Sequence, residues 1–134
     1  MRLSALLSIK IACLFALLCV VLGAFGAHAL KHSLSERGMD VYRTAVDYQM
    51  FHSLGLMFLG GYWLYAEKMG QASRCFMLSA WFFIFGLVLF CGSLYALAIT
   101  QIKLLGAITP LGGVSFIVAW GLLFCALNSF NKRS

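Results

Sequence analysis

The sequence predicts an all-α fold, an integral membrane bundle of four transmembrane helices in one domain over residues 1–134. Of these residues, 63% are apolar and only 10% are charged, whereas about 25% of a soluble domain is charged. The charges lie near the chain ends or in short stretches between long apolar runs. Each run, alone or slightly extended, is long enough to cross a hydrocarbon core of about 30 Å as a helix.

The first apolar run begins at Ile11, and we expect a span over about residues 11–30. Cations before the run and the segment Ala27-His28-Ala29 at its end imitate a cleaved signal peptide. The run is longer than the usual core of a signal peptide, about 7–15 residues. The sequence therefore predicts a first membrane span that the protein retains.

The second apolar run, from Ser53 to Ala66, has only 14 residues. A helix that crosses the bilayer needs about 20, so this span is expected to extend back to Asp47 and to cover about residues 47–66. Gln49 and His52 then lie within the span or at its edge.

The third and fourth spans are expected over about residues 75–99 and 104–127. The fourth contains Thr109-Pro110. Because proline has no amide hydrogen and removes a hydrogen bond within a helix, we expect this helix to be broken or kinked at Thr109-Pro110.

The net charge of +6 does not indicate nucleic-acid binding, because the cations form no patch and instead flank apolar runs, beside lipid headgroups. With four spans, one side of the membrane holds Arg2, Lys10, Lys68, Arg74, Lys132 and Arg133. The other side holds Lys31, Arg37, Arg43 and Lys103. The positive-inside rule therefore predicts that both termini are cytoplasmic.

Small residues recur at helical spacing in the apolar runs. In the first run they follow one another at alternating steps of four and three: Ala12, Ala16, Cys19, Gly23 and Gly26. Seams of small side chains let membrane helices approach closely. In the third run the small residues recur every seven positions: Ser79, Gly86, Ser93 and Thr100. The predicted helix-packing glycines are Gly23, Gly26 and Gly86 of these seams, together with Gly92, Gly112 and Gly113.

Four motifs occur in order along the chain: GAFGAH at residues 23–28, YQMFH at 48–52, GSLY at 92–95 and TPLGG at 109–113. In these motifs the sequence resembles the YgdD/YwdK-type family of small bacterial inner-membrane proteins. The resemblance covers nearly the whole chain. It implies a four-span protein of the bacterial inner membrane and implies no activity, because that family is uncharacterised.

Alternation of the spans places the polar motif residues in one half of the membrane, the half bearing the first and third loops. They form a predicted binding or packing cluster: His28, Gln49, His52, Ser93, Tyr95, Thr109 and Pro110. Polar side chains at membrane depth turn inward and find partners. A ligand or proton site and a set of interhelical hydrogen bonds both fit this pattern, and the hydrogen bonds are favoured because they are common in membrane bundles.

We predict no metal site, no cofactor and no catalytic residue. His28 and His32 have a spacing that can share a metal, but His32 is expected in a loop. Arg43 lies one helical turn before Asp47, at a spacing that favours a simple ion pair. The sequence lacks a phosphate loop, an H-E-x-x-H motif, a dinucleotide fingerprint and a G-x-S-x-G motif.

The favoured function is therefore a non-enzymatic structural or accessory membrane component. One alternative is a small oligomeric transporter or channel whose polar half forms a vestibule. Another is a membrane protein that binds a lipid, a quinone or haem. The expected partners are membrane lipids and no nucleic acid, with a homo-oligomer or a larger membrane complex left open.

Overall fold

The structure, a computed structural model, describes residues 3–131, and its side chains up to residue 129. Within this range lie four long helices: α1 over Ala5–Leu30, α2 over Glu36–Lys68, α3 over Arg74–Thr100 and α4 over Thr109–Asn131. No strand occurs within residues 3–131, which confirms the all-α prediction. Three cations counted for the orientation, Arg2, Lys132 and Arg133, lie outside the described residues.

Serines begin three of the helices, and two segments depart from α-helical geometry. The side chains of Ser4, Ser35 and Ser73 accept hydrogen bonds from backbone amides at the starts of α1, α2 and α3, and so satisfy amides that a helix start leaves unpaired. The last turn of α1, Gly26–Leu30, and the middle of α3, Leu87–Cys91, are π-helical.

Three of the described helices are long and apolar enough to cross a membrane: Ala5–Leu30, Arg74–Thr100 and Lys103–Ser129. Helix α2 is not among them, because Gln49, His52 and several Gly and Tyr residues lower the hydropathy of its charge-free stretch between Asp47 and Glu67. It has 33 residues and is about 50 Å long at 1.5 Å per residue. It begins well before the predicted range 47–66, because the cap at Ser35 starts the helix within the polar stretch.

The fourth span changes its geometry at Thr109-Pro110. Residues Lys103–Ala107 form a 3-10 turn, and the α-helix begins only at Thr109. Pro110 thus lies in the first turn, where a helix does not use the missing amide hydrogen. The regular helix is interrupted where the sequence predicted, but the proline starts a new α-helix and does not kink a continuous one.

Helices α1 and α2 run antiparallel along almost the whole length of α1. At one end, Gly60 lies against the Ile9 side chain and the Ala5 carbonyl. At the other end, Gly26 lies against the ring of Tyr42. Close approach at both ends is consistent with the small-residue seam of α1, whose members at positions 12 and 19 are buried.

Helices α3 and α4 form a second antiparallel pair, joined by serine hydroxyls that donate to backbone carbonyls of the other helix. Ser79 donates to Ala119, and Ser115 donates to Phe82, each with an Oγ–O distance of 2.7 Å. Helix α2 joins the two pairs, because it packs against α3 as well as against α1, and its leucines at positions 56 and 59 are fully buried.

Large apolar side chains cover the outward faces of the helices. Leu17 is 60% exposed, Ile117 72% and Phe124 66%. Soluble proteins rarely expose apolar patches on this scale, so these faces suit contact with lipid.

Candidate functional site

Gln49 joins three helices through one buried amide. Its side chain is 3% exposed. The amide Nε2 donates to the Phe15 carbonyl of α1 at 2.8 Å, and Oε1 accepts from the Tyr95 hydroxyl of α3 at 2.8 Å. The side chain that the sequence placed at the edge of the second span is therefore an interhelical link.

Tyr42 extends this network towards the end of α1. Its hydroxyl donates to the Leu22 carbonyl at 2.7 Å, and its ring meets that of Tyr95 edge to face at a centroid distance of 5.0 Å. Tyr42 was not among the site residues predicted from the sequence. Its position two turns before Gln49, on the same face of α2, is the signal that could have identified it.

Ser93 and Thr109 connect the end of α3 to the start of α4. Their hydroxyl oxygens lie 2.8 Å apart, and Ser93 also donates to the Phe90 carbonyl at 3.0 Å. Both residues belong to the predicted cluster, and the structure brings them into direct contact.

His52 occupies an aromatic environment. It is 6% exposed, and its ring stacks on that of Phe116 with centroids 3.5 Å apart and planes at 15°. The rings of Phe83 and Trp120 lie 6.2 and 6.3 Å from it. Its Nδ1 lies 2.8 Å from the Tyr48 carbonyl on its own helix.

The predicted cluster is therefore divided into separate contacts. These are the bond of Gln49 with Tyr95, the bond of Ser93 with Thr109, and the stack of His52 on Phe116. Among the described residues, no hydrogen bond joins His52 to either of the other two pairs.

Two members of the predicted cluster lie at the surface. His28 and Pro110 are both exposed. The last turn of α1 buries Gly26 against Tyr42, so His28, two residues later, lies on the opposite side of the helix. The assignment of His28 to an inward-facing cluster is corrected for this reason, and that of Pro110 is corrected because it is exposed in the first turn of α4.

The predicted packing glycines occupy different environments. A Cβ atom would overlap the Tyr42 ring at Gly26, the Phe116 ring at Gly86 and the Phe90 backbone at Gly112. At Gly23 and Gly113 it would meet side chains at 3.4 and 3.8 Å. Gly92 faces open space, so its assignment as a packing glycine is corrected.

Two glycines of α2 pack closely against other helices but were not predicted from the sequence. At Gly55 a Cβ atom would come within 2.9 Å of the Trp120 ring, and at Gly60 within 2.7 Å of the Ile9 side chain. Both stand inside the second apolar run, and their five-residue separation does not fit the seam pattern used for the other helices.

Two of the three grooves that border the first part of α2 have Asp47 among their lining residues. One, of about 230 Å³, lies between the ends of α1 and α2 and includes Lys31 and Tyr42. The other, of about 460 Å³, is lined by Asp47, Tyr48, Phe51 and His52.

The ion pair of Arg43 differs from the expected one. Its guanidinium lies 3.8 Å from the carboxylate of Asp40, one turn before it, and not beside Asp47. Both side chains of the pair are exposed, so the pair adds little stability. Asp47 instead lines both grooves.

No group of three or more metal-ligating side chains comes together in the part of the chain that the structure describes. Apart from His52, whose hydrogen bond stays within α2, the buried polar side chains described above link helices to one another. Their arrangement positions helices and does not by itself indicate a reaction.

Comparison with known proteins gives one family and several relatives. A family model described as "Protein of unknown function (DUF423)" matches residues 22–113. A UPF0382 membrane protein of Staphylococcus epidermidis is 44% identical over 115 residues, covering 86% of this chain and 89% of the relative. No solved structure matches significantly.

Two further relatives are similar over most of their length. The UPF0382 membrane protein YwdK of Bacillus subtilis is 45% identical over 111 residues, covering 83% of this chain and 87% of the relative. The UPF0382 membrane protein SAB0533 of Staphylococcus aureus is 40% identical over 124 residues, covering 92% of this chain and 97% of the relative.

Proposed function

We propose that this chain, which belongs to the DUF423 family, is a non-enzymatic structural or accessory component of the bacterial inner membrane. The predicted family resemblance is confirmed, and three apolar helices together with the relatives' description identify a membrane protein. The family's description assigns no activity, so the proposal depends on what the polar residues of this chain do.

The use of the polar motif residues for helix contacts is the observation that supports this proposal. The amide of Gln49 is bonded at both ends to other helices. The hydroxyls of Ser93 and Thr109 bond to each other. Side chains that are engaged in this way stabilise the bundle and are not free to bind a passing ion.

We further propose that α2 is the fourth membrane span. Its contacts with α1 extend from Tyr42, beside Gly26, to Gly60, beside Ala5. A helix that lies antiparallel along the length of a spanning helix must cross the same thickness. Its centre is also apolar, and the charges at its two ends would then lie in the headgroup regions.

Reporter fusions test the orientation. With cytoplasmic termini, a reporter at the C-terminus and one in the loop at Gly70 should both indicate the cytoplasm, because two spans separate these positions. A reporter at Ser33, between α1 and α2, should indicate the opposite side. The reverse pattern would invert the orientation. Agreement of all three positions would contradict four spans.

Reconstitution separates a structural role from transport. Liposomes containing the purified protein should release protons and K⁺ no faster than protein-free liposomes, with a channel-forming peptide as the positive control.

The size of the extracted complex tests the accessory role. In mild detergent, a tagged chain extracted from native membranes should migrate as a complex larger than one 14.8 kDa chain in a micelle. Flux that is lost in the Gln49→Leu variant would instead support the transporter or channel alternative.

A further inference from the structure

The hydrogen bond of His52 fixes which of its ring nitrogens carries the proton. Nδ1 lies 2.8 Å from the Tyr48 carbonyl. A carbonyl oxygen only accepts hydrogen bonds, so Nδ1 must be the donor, and in the neutral ring Nε2 is then an acceptor without a hydrogen. The structure therefore presents Nε2 as a base or ligand atom.

Nε2 is also the polar atom of His52 that the bundle leaves without a partner. The hydrogen bond of His52 within the described residues is the one made by Nδ1. Although His52 is buried and only 6% exposed, its Nε2 atom is not fully enclosed. Because His52 lines the groove of about 460 Å³, Nε2 is available to a molecule in that groove.

Aromatic rings form the walls of this groove. Tyr48 and Phe51 line it, and they are 43% and 62% exposed. The Tyr48 ring is itself held by stacking on Phe90 at a centroid distance of 4.5 Å. Flat, partly exposed rings that are fixed in this way favour a flat aromatic ligand.

The hydrogen-bonding groups of the groove are mostly acceptors. Nε2 of His52 is one acceptor, and the carboxylate of Asp47, an exposed residue that also lines the groove, is another. The two residues are five positions apart, or about 7.5 Å along the helix axis at 1.5 Å per residue. The remaining group, the Tyr48 hydroxyl, can donate or accept. The groove therefore suits a ligand with two hydroxyl donors.

An apolar strip continues from the groove along α2. Phe51, Leu54 and Phe58 follow one another at three- and four-residue steps, so they share a face, and they are 62%, 52% and 57% exposed. If α2 spans the membrane, this strip leads from the groove into the hydrocarbon core, where a long apolar tail would lie.

We propose that the groove binds the reduced head group of an isoprenoid quinone, a hydroquinone whose hydroxyls donate to His52 Nε2 and the Asp47 carboxylate. The oxidised quinone has carbonyls that only accept, so the site favours the reduced form. The proposal concerns binding alone. It goes beyond the structural role above and rests on the membrane setting of α2.

A ligand series on the unmodified protein tests the proposal. The probes are a decyl-tailed benzohydroquinone, its oxidised quinone and its dimethyl ether, which keeps the ring and tail and lacks hydroxyl donors. Under anaerobic conditions in dodecyl maltoside, equilibrium dialysis should give saturable binding of the hydroquinone with a Kd about tenfold below those of the quinone and the ether. Equal binding of all three would mean partition into micelles only and would overturn the proposal.

Matched variants locate the site. His52→Phe keeps a ring to stack on Phe116 but removes Nε2, so it should raise the Kd for the hydroquinone about tenfold. The same change at exposed His32, outside the groove, should leave the Kd unchanged. Unaltered hydroquinone binding in a folded His52→Phe variant would overturn the proposal.

The oligomeric state gives a separate test. If the protein is a dimer that dissociates on Phe51→Ala and shows no saturable hydroquinone binding, the groove is occupied by a second copy of the chain, and the proposal is likewise overturned.

These outcomes are separable from the structural proposal. Failure of hydroquinone binding leaves the flux and complex measurements untouched. Flux through liposomes would refute the structural role without changing the ligand series.

Discussion

Replacing Gly112 by alanine is expected to lower the free energy of unfolding by about 3 kcal/mol, near the upper end for overfilling a packed core. The added Cβ would overlap the backbone of Phe90, including its Cα at 2.7 Å. A backbone atom of a packed helix cannot move away by changing a rotamer. Helices α3 and α4 would have to separate, and Ser93 and Thr109, one turn further along, would lose their 2.8 Å contact.

Denaturant titration in dodecyl maltoside micelles, followed by tryptophan fluorescence, measures this loss. Gly113→Ala is the matched control, because its Cβ would meet the Phe90 ring at an ordinary 3.8 Å. That variant should unfold within about 0.5 kcal/mol of the unmodified protein, as expected for substitutions without a clash. Equal stability of the Gly112→Ala and Gly113→Ala variants would contradict the close crossing of α3 and α4.

Replacing Gln49 by leucine is expected to lower the free energy of unfolding by about 2 kcal/mol. Leucine is close to the side chain in size but leaves the partly buried Tyr95 hydroxyl without its acceptor. It also removes the bond to the Phe15 carbonyl, so α1 and α3 each lose one polar link to α2. The same denaturant titration gives the magnitude.

A double-mutant cycle with Tyr95→Phe identifies the cause. If the orphaned hydroxyl carries much of the cost, the Gln49→Leu/Tyr95→Phe variant should be more stable than the sum of the two single changes predicts. Tyr48→Phe removes a tyrosine hydroxyl from an exposed position and serves as the control. Strict additivity of Gln49→Leu and Tyr95→Phe would mean that the 2.8 Å bond between them does not stabilise the bundle.

The environments of the glycines show what a sequence pattern can predict. Gly86 and Ser93 stand seven residues apart and are both buried, as a repeating seam requires. Gly92 is one residue before Ser93 and hence about 100° round the helix at 3.6 residues per turn, which places it in open space. Helical spacing therefore predicted which glycines of α3 are buried better than membership in a sequence motif did.

His52 shows the same limit of prediction from a sequence pattern. Polarity at membrane depth predicted that His52 would turn inward, and it is 6% exposed. Its partner is Phe116 and not the Thr109-Pro110 segment, because the pairing depends on which turn of α4 lies level with His52. That level is set by how α2 packs against α3 and α4, which no local pattern in α2 encodes.

The sequence by itself determined the all-helical fold, the apolar helices, the family and the burial of Gln49 and His52. Length, hydropathy and period are properties of one segment, and a segment in lipid must satisfy its own backbone whatever its neighbours are. Only the tertiary structure decided that Tyr42 and Tyr95 complete the Gln49 network, that Pro110 begins a helix, and that His28 faces outward. Those outcomes depend on the crossing and level of separate helices, which are set by the close packing of side chains distant in sequence.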